Sequence, residues 1–135
     1  MAQTPEGKVK DKARDLYKKY GAVYDRNAIN GMGQNGRPDD LVCRNDGHFG
    51  AIEAKKENVF KVTALQRIWL NKCAAAGGSS MVINLTNLSL LEQWLSMPGW
   101  RVTAKFGEGK QEDTCTHHEA TREGWPPVTI KNPGG

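Results

Sequence analysis

The chain is poor in cysteine and has no long apolar run, no internal repeat and no low-complexity tract. Each lack removes a class of protein. Three cysteines, Cys43, Cys73 and Cys115, stand at unrelated spacings and make no disulfide framework. No apolar stretch approaches the roughly 18–20 residues of a membrane span. The opening residues Met1 to Lys8 lack the apolar segment of a secretory signal. A cytoplasmic, reduced protein without a membrane partner is therefore expected. Zinc is disfavoured too, because Cys115, His117 and His118 have no second ligand pair at structural-zinc spacing. Those three residues are expected on the surface.

What is present describes an ordinary globular domain. The 135 residues suffice for one core, and hydrophobic and charged residues make up 38% and 25% of them. A net charge of +4 permits nucleic acid as a partner without requiring it. The basic residues are unevenly spread. Lys8, Lys10, Lys12, Arg14, Lys18 and Lys19 crowd the first predicted helix, and Lys55, Lys56, Lys61 and Arg67 form a second group.

Thr4-Pro5-Glu6 reads as an N-cap, a proline at the first helical position and an acid in the first turn. Val9, Ala13, Leu16, Tyr17 and Tyr20 follow at helical spacing, and Gly21 stops the helix. Glu6 falls on that apolar stripe. A strand is expected from Ala22, then a glycine-rich loop from Asn30 to Gly36. Gly31 to Gly36 satisfies GxGxxG, but Arg37-Pro38 and a strand follow where a dinucleotide site needs a helix. The loop is expected to be mobile.

Leu41–Arg44 and Phe49–Ala54 read as two strands joined at Asn45-Asp46-Gly47, residue types that tolerate positive φ. A three-residue loop puts Asp39 opposite Glu53, whereas a two-residue Asp46-Gly47 loop puts Asp40 there. The arithmetic of the register does not choose between them. Directly opposed Cβ atoms are roughly 4.5–5.5 Å apart, close enough for two carboxylates to share a divalent cation. Lys55, two residues after Glu53, faces the same side. A hard cation such as Mg²⁺, with Mn²⁺ as substitute, suits a pair of carboxylates plus a phosphate. The ammonium can steady charge growing on that phosphate or help the attacking water. The chemistry implied is metal-assisted phosphodiester hydrolysis.

Beyond the hairpin, Thr63-Ala-Leu-Gln66 forms a capping box. It opens an amphipathic helix with Leu65, Trp69, Cys73 and Ala76 on its apolar side. Met81 to Leu85 reads as a buried strand, and Leu88, Leu91, Trp94 and Leu95 as a helix stopped by Pro98-Gly99. Trp100 to Phe106 alternates as a half-buried strand. From Gly107 onward the polar, Gly- and Pro-containing chain reads as loop or extension, with Trp125-Pro126-Pro127 able to dock it. Residues 1–97 are expected to form the core domain and 98–135 an appended strand and extension.

Pro38-Asp39 followed by Glu53-Ala54-Lys55 resembles the PD-(D/E)XK nuclease signature. With Glu6 in a first helix, Asn30-Gly31-Met32-Gly33 and Gly36 before the Pro-Asp, and Thr63-Ala64-Leu65-Gln66 after the Lys, the order is similar to the stand-alone VRR-NUC nucleases of phage and bacteria. The resemblance spans about Pro5 to Asn84. It implies a restriction-endonuclease-like α/β fold, a small mixed sheet flanked by helices. It favours Asp39 over Asp40, and implies that Asp39, Glu53, the Ala54 carbonyl and Glu6 hold the metal. Lys55 then acts on water and transition state, and Gln66 lies at the active face. Lys56, Lys61, Arg67 and Arg37 are expected to contact DNA. The relatives further imply a homodimer acting on branched DNA such as a four-way junction.

Overall fold

The computed structural model describes residues 4–27 and 36–133. The expected mobile loop, with Asn30 to Gly33 of the motif, lies outside the described residues up to Gly36. Among the described residues eleven elements follow one another: α1 (Pro5–Lys19), β1 (Val23–Arg26), β2 (Asp40–Cys43), β3 (Phe49–Ala54), α2 (Ala64–Ala75), β4 (Ser79–Ile83), α3 (Leu88–Ser96), β5 (Arg101–Phe106), a 3-10 turn (Gly109–Gln111), β6 (Cys115–Thr121) and β7 (Val128–Lys131). Among the described residues no helix is long and apolar enough to cross a membrane.

The first sheet has the order β1-β2-β3-β4, antiparallel except for the parallel β3–β4 pair. That parallel pair needs a crossover, and α2 supplies it. Strand alternation sends Val42, Ile52, Ala54, Met81 and Ile83 into one apolar cluster with α1 and α3, while Ala51 and Val82 join Leu70 and Cys73 of α2 in another. β3 and β4 are covered on both faces, and from Gly50 to Ile83 their residues are all buried. Gly50 is required where it stands, because a Cβ there would lie 2.5 Å from the Trp94 ring.

α1 begins as the sequence predicts, with Thr4 Oγ1 accepting from the Gly7 N–H at 3.0 Å. α2 differs in which face it buries. Leu70 and Cys73 are its buried residues, whereas Leu65 and Ile68 are exposed and Trp69 is half-buried. The predicted stripe of Leu65, Trp69, Cys73 and Ala76 is rotated because the capping box already directs Gln66 inward, and the core follows that side of the helix.

The C-terminal third is also more regular than predicted. In place of loop or extension from Gly107, β5-β6-β7 form an antiparallel sheet. β6 hides this because its inward residues are Cys115, His118 and Ala120, too small or too polar to show as alternation. Val102 and Ala120 belong to the cluster containing Val9 and Leu91, and Ala104 and Cys115 to the one containing Leu70, so residues beyond Met97 share the core. Serine hydroxyls join the two sheets where strand pairing does not. Ser79 Oγ accepts from the Val102 N–H and from Trp94 Nε1, each at 3.0 Å, and Ser80 Oγ accepts from the Ala104 N–H at 3.1 Å.

Cys115 and His118 are buried rather than at the surface. With Asn132 they make a trio of types used elsewhere for thiol catalysis, but here the geometry is structural. His118 Nδ1 donates to Asn132 Oδ1 at 3.1 Å, and Nε2 accepts from the Val82 N–H at 3.2 Å, tying β6 to β4. Burial pushes the Cys115 thiol up to about 11 and His118 down to about 4. A histidine whose pKa is lower folded than unfolded takes its proton in the unfolded chain first. Its stabilising effect is therefore complete above about pH 6.5 and lost as pH falls toward about 4, by up to roughly 3 kcal/mol. Denaturant unfolding across that window is expected to show wild type losing more stability than His118→Gln, and parallel curves would remove His118 from the cause.

Candidate active site

The hairpin register shows which of the adjacent acids lies across from Glu53. Asp40 pairs with Ile52 and Leu41 with Ala51, and Gly47 takes φ 86° in a three-residue turn. One step further along this register Asp39 stands across from Glu53. The Ala54 N–H donates to Asp39 Oδ2 at 2.8 Å, which seats the carboxylate at the end of β3. Asp40 turns to the opposite face. Its oxygens accept from Arg26 Nε at 2.8 Å, Arg26 Nη2 at 3.0 Å and Tyr17 Oη at 2.8 Å, and the residue is 1% exposed. Asp40 is committed to holding α1 and β1 on the sheet.

Glu53 is the unusual group. It is 3% exposed, and its Oε1 is the one buried side-chain oxygen or nitrogen without a hydrogen-bond partner among the described residues. Burial raises its pKa far above the ordinary carboxylate range, the charge of Asp39 raises it further, and Glu6 adds to this while Lys55 opposes it. A buried carboxylate with an unsatisfied acceptor oxygen beside a second acid is costly unless something cationic joins it. The fit to a hard divalent cation rests on that oxygen.

Gln66 serves two purposes at once. Its Oε1 accepts from the Thr63 N–H at 2.9 Å, completing the capping box, and from Lys55 Nζ at 3.0 Å. Its Nε2 donates to Glu53 Oε2 at 3.2 Å, and Lys55 Nζ stands 3.8 Å from the same oxygen. The amide thus fixes both Lys55 and Glu53 while starting α2. Thr63→Ala is expected to cost about 1 kcal/mol with little change in any activity of the site. Gln66→Ala should cost a similar amount and also reduce any activity of the site by roughly 10–100-fold, because it releases both Glu53 and Lys55. Paired measurements of thermal midpoint and turnover check this, and equal activities in the two variants would confine Gln66 to capping.

The remaining predicted site residues divide. Glu6, in the first turn of α1, is near enough for its charge to act on Glu53. Among the described residues, however, no three His, Cys, Asp or Glu side chains converge as a metal cluster, so Glu6 does not complete one with Asp39 and Glu53. The Ala54 carbonyl shares its strand edge with the N–H that donates to Asp39, since a residue's N–H and C=O leave an extended strand on one side. Lys56 and Lys61 are exposed, and no acid among the described residues pairs with either. Arg37 is paired with Asp25, and Arg67 with Asp113 at 2.8 Å. Gly36, at φ 80°, lets the chain pass so close to α2 that a Cβ would lie 2.5 Å from the carbonyl carbon of Leu65.

Three residues were missed in the sequence. Arg26 and Tyr17 hold Asp40, and Lys10 reaches Asp39 with Nζ 3.2 Å from Oδ1. The spacing of Lys10 from Glu6, one helical turn, was the available signal. Neither Arg26 nor Tyr17 had one.

No family model matches the sequence, and no curated protein matches it. Among solved structures the chain is similar to one described as a VRR_NUC domain, with a TM-score of 0.58 and 21% identity, over 70% of this chain and 98% of that one. The architecture is that of this domain type, a mixed sheet flanked by helices, with the β5-β6-β7 sheet in addition to the first.

Proposed function

We propose that, on this fold, the chain is a metal-dependent endonuclease that hydrolyses phosphodiester bonds of DNA. The buried, half-unpartnered Glu53 beside Asp39 carries the reading. Asp39, Glu53 and the Ala54 carbonyl would hold Mg²⁺ or Mn²⁺, which when bound lowers the pKa of water and offsets charge on phosphate oxygens. Two carboxylates leave room for waters and a phosphate oxygen, the arrangement Mg²⁺ prefers. Lys55, whose ammonium donates to Gln66 Oε1 and stands 3.8 Å from Glu53 Oε2, supplies a fixed positive charge where the phosphate gains negative charge. Glu6 adds negative charge from the start of α1. Lys56 and Lys61, free of acid partners, are suited to contact the strands.

The finer reading is a structure-selective enzyme on branched DNA, working in the cytoplasm as a homodimer with one site for each of two strands. Its test is cleavage of a labelled four-way junction, a flap and a linear duplex, in Mg²⁺ or in EDTA. Cutting of the junction alone, lost in EDTA, is the expected result. Preference for flap or duplex would keep the chemistry and replace the substrate. Binding without cutting of all three would overturn the enzyme reading.

A further inference from the structure

Lys10 is a basic residue of α1 that does not point simply into solvent. Its ammonium lies 3.2 Å from Asp39 Oδ1, with the Lys side chain 25% and the Asp side chain 17% exposed. Its backbone is held as well. Arg26 Nη2 donates to the Lys10 carbonyl at 2.9 Å while the same guanidinium grips Asp40. The two adjacent acids therefore both attach to this turn of α1, Asp40 through Arg26 and Asp39 through the ammonium. The other oxygen of Asp39 accepts from the Ala54 N–H, and Glu53 beside it has its Oε1 unpartnered.

We propose that Lys10 is a positioning residue of the site, its ammonium acting as a counter-charge on Asp39 that competes with a divalent cation and yields when DNA phosphate arrives. The inference rests on the proposed metal site. Its physical basis is simple. An ammonium in contact with a ligand carboxylate repels an incoming dication and weakens the acceptor it needs. A phosphate offers the ammonium an alternative partner, so its release favours metal on Asp39, and by linkage metal then favours DNA. The DNA-free site is thereby kept from trapping cations without substrate, and the half-buried location leaves the repulsion poorly screened.

The test is isothermal titration of the DNA-free protein with MnCl₂, for wild type, Lys10→Met, Lys10→Arg and Glu53→Gln. Lys10→Met keeps the length and apolar stem but removes the charge, and its dissociation constant for Mn²⁺ is expected to fall by roughly three- to tenfold. Lys10→Arg, which retains the charge, should stay near wild type. Unchanged or weaker binding by Lys10→Met, with wild type binding and Glu53→Gln not, would overturn this inference alone. A merely structural lysine would give that pattern, with a lowered thermal midpoint. Failure of wild type to bind Mn²⁺ more tightly than Glu53→Gln would overturn both the metal site and the role built on it.

Discussion

Glu53→Gln is expected to abolish cleavage while leaving DNA bound and the protein more stable than wild type. The amide keeps the shape of the side chain and can still meet Gln66, which lies 3.2 Å from Oε2. It removes the charge that a cation requires. Loss of a group that stabilises developing charge acts on the scale of at least about 100-fold, so turnover in Mg²⁺ should fall by that much or more. Stability should move the other way, because the wild-type carboxylate is buried, unpartnered at Oε1 and pressed by the charge of Asp39. Relief of that crowding is worth roughly 1–3 kcal/mol in metal-free protein near neutral pH. A group whose pKa is raised on folding destabilises increasingly as pH climbs above its unfolded value, so the gain should be smaller in acid. Adding Mn²⁺ should raise the wild-type midpoint and leave the variant unmoved. The measurements are cleavage, DNA binding and thermal unfolding with and without metal. Full activity in the variant would discard the site, whatever its stability did.

The second large effect separates Asp39 from Asp40. Asp39→Asn should lose cleavage with the fold retained, since its carboxylate is at the site and partly exposed. Asp40→Asn should instead damage the fold. It leaves Arg26 without its ion pair and sets an amide N–H against a donor, of Arg26 or of Tyr17, in a place with 1% exposure. Breaking a buried pair by removing one partner costs roughly 3–5 kcal/mol. For a domain of this size that is a fall of about 10 °C or more in midpoint. Cleavage by whatever fraction of Asp40→Asn remains folded should continue. The reverse pattern, an intact but inactive Asp40→Asn, would exchange the roles of the two acids.

The turn carries a similar hidden commitment. Asp46 was legible as a turn former. It also accepts from Arg44 Nε and Nη2 at 2.8 Å each and from the Gly99 N–H at 3.0 Å. Arg44 in turn donates to the carbonyls of Trp94 and Trp100 and lies over the Trp94 ring. That network holds the hairpin against the α3–β5 turn, and local sequence rules contain nothing that announces it.

Local chemistry by itself determined the start of α1, the capping box of α2, the hairpin and the common face of Glu53 and Lys55. Each depends on neighbours a few residues apart and on fixed helical or extended periods, so spacing is enough. Tertiary structure alone decided the rest. It set Asp39 rather than Asp40 across from Glu53, because a three-residue turn fixed the register and Arg26 and Tyr17 hold the other acid. It joined Gln66 to Glu53 and Lys10 to Asp39, contacts between elements far apart in the chain. It also drew β6 and β7 into a second sheet around a buried His118, where packing outweighed a weak pattern. Periodicity reports which face a side chain takes, but only the assembled fold supplies the partner waiting there.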